Sequence, residues 1–280
     1  MTARRGPTFL SRFLRHRMAV VGALITLGLM ALALVGPAIA QEDPLEFDLL
    51  HILTPPSGES PFGTDEFGRD VFSRVMHGSR LSLAVGAFVL LSTSFLGTVV
   101  GLVSGFFRHL DGIIMRTIDA LMAFPSILLA LVIATVLGPR TVNVVIALTL
   151  VYFPRVARLI RGTVLALRDQ DFITGGIAVG ASDWRLIVRY ILPNAIAPLI
   201  VQATFIYGYA VLGEASLSFL GVGTPPPVPS LGNIINDARP MLREAPWMAM
   251  FPGSAIALTV FGFNLLGDGL RDLLDPKTHR

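Results

Sequence analysis

The chain has 280 residues, of which 53% are hydrophobic and 15% charged, against about 25% charged in an average soluble chain. A soluble domain needs more polar surface than this, so the apolar excess reads as lipid-facing surface and the expected class is an all-α polytopic membrane protein. Absence of cysteine excludes disulfides and thiolate chemistry, and the net charge of +3 lies in connectors between apolar runs, which fits membrane topology and not nucleic acid.

Crossing about 30 Å of hydrocarbon takes about 20 mostly apolar residues. Six segments meet that length: 18–40, 81–107, 118–138, 142–160, 194–217 and 248–268. A tail over 1–17 and one membrane domain over 18–280 are expected. The first segment starts with basic residues and ends in Ala38-Ile39-Ala40, like a cleavable signal. Its apolar stretch exceeds the roughly 7–15 residues of a signal core, so a retained helix is expected.

Charge sets the orientation. The tail, 108–117, 155–193 and the C-terminus hold 16 of the 22 basic residues, among them Arg4, Arg5, Arg12, Arg15, Arg17 and the only lysine, Lys277. The connectors 41–80, 139–141 and 218–247 hold 6. Positive connectors stay in the cytoplasm, so both termini are expected inside and the loops 41–80 and 218–247 outside.

The outer connector 41–80 contains GTDEFGRDVFSR. Thr64 or Asp65 is expected to cap a short helix there, with Asp70 and Arg74 paired four residues apart. In the second segment Gly97, Gly101 and Gly105 share one helical face, where a neighbouring helix can approach closely. Packing within the chain is the expected use. Pro125, Pro154, Pro198 and Pro252 fall inside apolar segments and should kink them. The other outer loop holds TPPPVP, residues 224–229, a stiff polyproline stretch.

The stretch 161–193 is too polar to span and too apolar for a free loop. Gly175-Gly176 and Gly180 should break it into short helical pieces, with Phe172, Ile173, Ile177 and Trp184 as an apolar face. Either a partner protein or the bilayer surface could take that face. A P-loop needs a lysine preceded by glycine, and Lys277 follows a proline, so this chain is not expected to hydrolyse ATP by that motif. The histidines are scattered and no HExxH or GxSxG occurs. Neither a metal nor a catalytic constellation is expected.

Residues 174–193 resemble the cytoplasmic coupling loop of binding-protein-dependent ATP-driven (ABC) importers. That pattern is Glu-Ala-Ala, three residues, Gly, then Leu-Pro thirteen residues on; here its parts are Thr174-Gly175-Gly176, Gly180 and Leu192-Pro193. FGTDEFGRDVFSR from Phe62, DALMAFPSILLAL from Asp119, EASLSFLGVGTPPPVPSLGN from Glu214 and FNLLGDGLRDLLDP from Phe263 resemble the second permease of the dipeptide, oligopeptide and nickel branch. The resemblance implies a type I importer permease fold and a non-catalytic subunit without its own cofactor. Its partners would be a homologous second permease, two P-loop ATPase subunits that bind ATP and Mg, and an extracytoplasmic substrate-binding protein. Gly180 would turn the chain after the coupling helix, and Asp183 and Arg185 would contact the ATPase. The motif's acidic residue is Thr174 here and its alanines are Gly175 and Gly176, which implies a more mobile coupling helix, with Thr174 able to cap it.

An ion-coupled secondary transporter is the alternative. It would call for inverted repeats and intramembrane ionisable groups, and Glu214 is the one candidate of that kind. Tyr207, Tyr209 and Asn264 are candidates for lining a pathway, although a packed bundle also buries Tyr and Asn by pairing them. The substrate is not legible.

Overall fold

The computed structural model describes residues 9–40 and 42–274. Arg4, Arg5 and Lys277 of the charge argument lie outside the described residues. Those described are helices and loops, with one isolated antiparallel bridge between Thr64 and Asp70. In chain order the helices are α1 (Phe9–Arg15), α2 (Arg17–Ile39), α3 (Val71–Phe106), α4 (Arg108–Met122), α5 (Ser126–Leu137), α6 (Thr141–Arg168) and α7 (Asp171–Ala178). Then come α8 (Asp183–Leu186), a π turn (Ile187–Ile191), α9 (Leu192–Phe219), α10 (Leu231–Ala238) and α11 (Trp247–Leu274).

Five helices are long and apolar enough to cross a bilayer: α2, α3, α6, the continuous 37-residue run Asp183–Phe219, and α11. The expected third span, 118–138, is not one rod. α4 and α5 meet at a 92° bend, because Pro125 cannot donate a helical hydrogen bond and disfavours helical backbone before it. The pair still crosses. Gly97, Gly101 and Gly105 of α3 meet Val156, Ile160 and Val164 of α6 in rising order, so these two helices run parallel. The chain between them must therefore return across the bundle, and α4–α5 is that return. Six crossings result, as expected, one of them broken.

Other boundaries shift. α3 begins at Val71, about three turns before the expected 81, because Asp70 caps it by accepting from the Ser73 amide at 2.7 Å. Thr64 and Asp65 do not cap, and no separate short helix forms. α6 continues to Arg168, through the start of the expected coupling loop. The outer loop 218–247 is part helix: Ser230 and Asn233 form a reciprocal capping box at the start of α10. Pro154, Pro198 and Pro252 sit within α6, α9 and α11 without ending them.

Close approach explains much of the packing. A methyl group at Gly97, Gly101 or Gly105 would lie 2.4–2.7 Å from atoms of α6, so the glycine face is spent on packing within the chain. The described part of the FNLLGDGLRDLLDP motif, residues 263–274, serves a similar end. A Cβ at Gly269 would meet the Ala19 backbone at 2.6 Å, and one at Gly267 would meet Thr204 Oγ1 at 2.4 Å, which seats α11 against α2 and α9. His16 Nε2 lies 3.3 Å from an Asp272 carboxylate oxygen, so the two described chain ends share one end of the bundle.

Candidate functional site

At the end that carries the chain ends, α7 hangs beyond α6. Its first turn holds Asp171, whose charge suits the positive pole of the helix. Asp171, not residue 174, is thus the carboxylate at the helix start. Thr174 lies within α7 and donates its hydroxyl to the Asp171 carbonyl at 3.1 Å, so it does not cap. Gly175 and Gly176 are also helical and do not break the piece. The break comes at Gly180, whose φ of +78° is a left-handed conformation that glycine adopts without strain. α8 follows, with Asp183 in its first turn and Arg185 in its last. Ile173 is buried and anchors α7 to the bundle. Phe172, Ile177, Val179 (84% exposed) and Trp184 (73% exposed) face outward.

Two further pairs fix this end. Arg161 donates to both carboxylate oxygens of Asp111 at 2.6 and 2.7 Å, and Arg158 donates to Asp119 at 2.6 Å. These hold α4 across the lower half of α6.

At the opposite end the GTDEFGRDVFSR run folds into a charged knot. Asp65 is buried and accepts from Arg69 Nε at 2.6 Å, from Arg74, and from the amides of Phe67 and Arg69. Arg74 also donates to Asp237 of α10 at 2.9 Å. The expected Asp70–Arg74 pair does not form: Asp70 serves the helix start, and Arg74 reaches two acids distant in sequence. Phe62 stacks on Phe251 with centroids 3.8 Å apart, and Trp247 Nε1 donates to the Thr64 carbonyl at 3.1 Å. The motif therefore pins the loop before α3 to α10 and α11. Nearby, His51 Nδ1 lies 2.6 Å from Asp48 Oδ2. That hydrogen bond raises the imidazole above its ordinary value and holds the carboxyl below its own.

Glu214 is fully buried. It accepts from Ser82 of α3 at 2.5 Å and from Ser218, one turn on, at 2.7 Å. Ser218 in turn accepts from the Thr224 amide. The EASLSFLG run thus ties α3, α9 and the proline-rich loop together. This is a structural use of the ionisable group on which the ion-coupled alternative leaned.

The three pathway candidates separate. Tyr207 is 3% exposed, stacks on Phe263 at 4.0 Å and donates to the Leu83 carbonyl at 2.8 Å, so it is packing. Asn264 lines an open groove with Leu212, Val260 and Phe261. Tyr209 is 41% exposed and stands beside Tyr152 and Arg155. Sequence reasoning counted Arg155 with the connector 155–193 and missed it as a site residue; its signal was that it, like Arg158, also falls inside the predicted span 142–160.

The chain was compared with known proteins. Residues 79–280 match the family of binding-protein-dependent transport system inner membrane components, and residues 8–56 match the N-terminal TM domain of oligopeptide transport permease C. A putative peptide transport system permease protein of Brucella abortus is 45% identical, over 95% of this chain and 90% of that protein. The dipeptide transport system permease protein DppC of Alkalihalophilus pseudofirmus is 44% identical, over 94% and 87%. The glutathione transport system permease protein GsiD of Pectobacterium atrosepticum is 42% identical, over 96% and 90%.

Proposed function

The chain belongs to the family of binding-protein-dependent transport system inner membrane components, and from that premise we propose that it forms half of a translocation pathway for peptides or peptide-like solutes. It is a non-catalytic membrane subunit of an ABC importer, and the ion-coupled alternative is not favoured. In the proposed assembly a homologous permease completes the pathway. Two P-loop ATPases, which hold ATP and Mg, sit beneath α7, and a substrate-binding protein docks outside. Both termini are cytoplasmic.

One observation carries the division of labour. α7 and the residue after it leave Phe172, Ile177 and Val179 exposed, as α8 leaves Trp184, on a chain that has no P-loop. A bare apolar surface at the end of a helix held by one buried anchor is what a partner's groove would cover. Asp183 and Arg185 at the rim would add polar contacts to that ATPase. The peptide class rests on the names of the relatives, which include peptide, dipeptide and glutathione permeases.

The test is purification of the tagged chain from mild-detergent membranes with identification of what accompanies it. Stoichiometric recovery of a second permease and P-loop ATPases is expected. A chain that purifies alone and still transports when reconstituted would overturn the proposal.

A further inference from the structure

Two of the three arginines that follow Arg155 in α6 are matched, Arg158 with Asp119 and Arg161 with Asp111, while Arg168 at the end of the helix has no ion pair among the described residues. Arg155 has no carboxylate partner among the described residues. Its guanidinium lies over the rings of Tyr152 and Tyr209, 5.5 and 5.3 Å from their centroids, and donates only to Ser126 Oγ at 3.2 Å. Tyr152 donates its own hydroxyl to the Tyr209 carbonyl at 3.2 Å, so the aromatic cradle is itself braced.

The depth matters. At 1.5 Å per residue Arg155 lies about 21 Å along α6 from its first residue, and Ser126 opens α5 just after the 92° bend. Unpaired cations at such depth are costly and face bundle interiors or water-filled cavities. The half-exposed ring of Tyr209 shows that this face is not sealed by the chain itself. Two tyrosine rings within cation–π reach help to hold the guanidinium in place, and it pairs with no carboxylate of the chain's own described residues, so it can meet a planar anion. The positive end of α5 adds to the field there, but the guanidinium is what makes the site.

Resting on the peptide-import reading, we propose that Arg155, held by Tyr152, Tyr209 and Ser126, receives a carboxylate: the free C-terminal carboxylate of a peptide in transit. The same chemistry could be met by a carboxylate side chain of the neighbouring permease, and the experiment separates the two sources. The assembled importer, reconstituted with its binding protein and ATPases, is given labelled trialanine or trialanine amide. Arg155→Met should slow trialanine at least about tenfold, the scale of one lost charge-assisted hydrogen bond, and leave the amide rate unchanged. Arg155→Lys, with charge but no planar fork, should fall between. An unchanged acid-to-amide ratio in Arg155→Met would overturn the assignment and leave the import reading intact. Loss of the second permease on purifying Arg155→Met would place the carboxylate in that subunit and overturn the solute assignment. A wild-type importer that carries neither probe but couples ATP to another solute would overturn the peptide reading and this assignment with it.

Discussion

Buried polar side chains are the most informative single residues here, because each has its partners on a different element. Removing Asp65 leaves two guanidinium groups without their common acceptor in a dry site. Breaking a buried pair from one side costs about 3–5 kcal/mol, so Asp65→Ala should markedly lower the thermal midpoint of the detergent-purified complex. Asp237, 31% exposed, is screened by water, and Asp237→Ala should cost clearly less in the same assay. Glu214→Ala strands buried hydroxyls and should cost about 1–3 kcal/mol. Glu214→Gln keeps an acceptor and should recover much of that stability; a Gln variant as damaged as the Ala variant would show that the charge itself is required. Neither network was legible beforehand. Spacing of four suggested Asp70–Arg74, but the true partners, Asp65 and Asp237, are nine and 163 positions away, and local spacing carries no information about such closures.

At the level of elements, apolar length located the membrane helices and failed at their ends. The start of α3 was misplaced because Asp70 is a capping residue followed by an apolar–polar mixture that does not look membrane-buried until α10 and α11 pack on it. The bend at Pro125 was foreseen as a kink; that it would reach a right angle depends on α4 lying across α6, held by pairs distant in sequence. The glycine face of α3 was legible because three missing side chains at one spacing have few other uses. Gly101→Ala would put a methyl group 2.6 Å from the Ala157 carbonyl oxygen. Overpacking of this kind costs about 1–3 kcal/mol, and folded yield should fall. Gly112→Ala, with only Arg116 within 4 Å, should be neutral or slightly stabilising. In α7 a methyl group at Gly175 meets nothing within 4 Å, so Gly175→Ala should firm the helix by about 0.5–1 kcal/mol, whereas one at Gly176 would lie 3.0 Å from the Leu186 side chain, which must shift to admit it. Thr174→Glu with Gly175→Ala and Gly176→Ala should therefore raise the solute moved per ATP hydrolysed in the reconstituted importer. An unchanged ratio, with unchanged complex stability, would sink the idea of a mobile coupling helix.

For the molecule as a whole, the six-crossing plan and the family resemblance were readable because the apolar runs and five spaced motifs occur in order along the chain. The open face was not readable, since it depends on which side of α5 the bundle leaves bare. α5 has 12 residues and so covers about 18 Å of a hydrocarbon layer about 30 Å thick. At its lower end Ala123, Phe124 and Pro125 are exposed. Non-helical backbone at that depth persists only against protein or water. In the proposed pairing with a second permease, the chain by itself would be an orphan subunit to the cell's quality control: it would insert, yet display a gap in its own membrane wall. Made without its neighbour, it should be cleared by membrane proteases faster than when the two are co-expressed, as a pulse–chase of the tagged chain would report. Its abundance would then be set by the scarcer subunit, which makes that short helix a device for keeping subunit numbers equal.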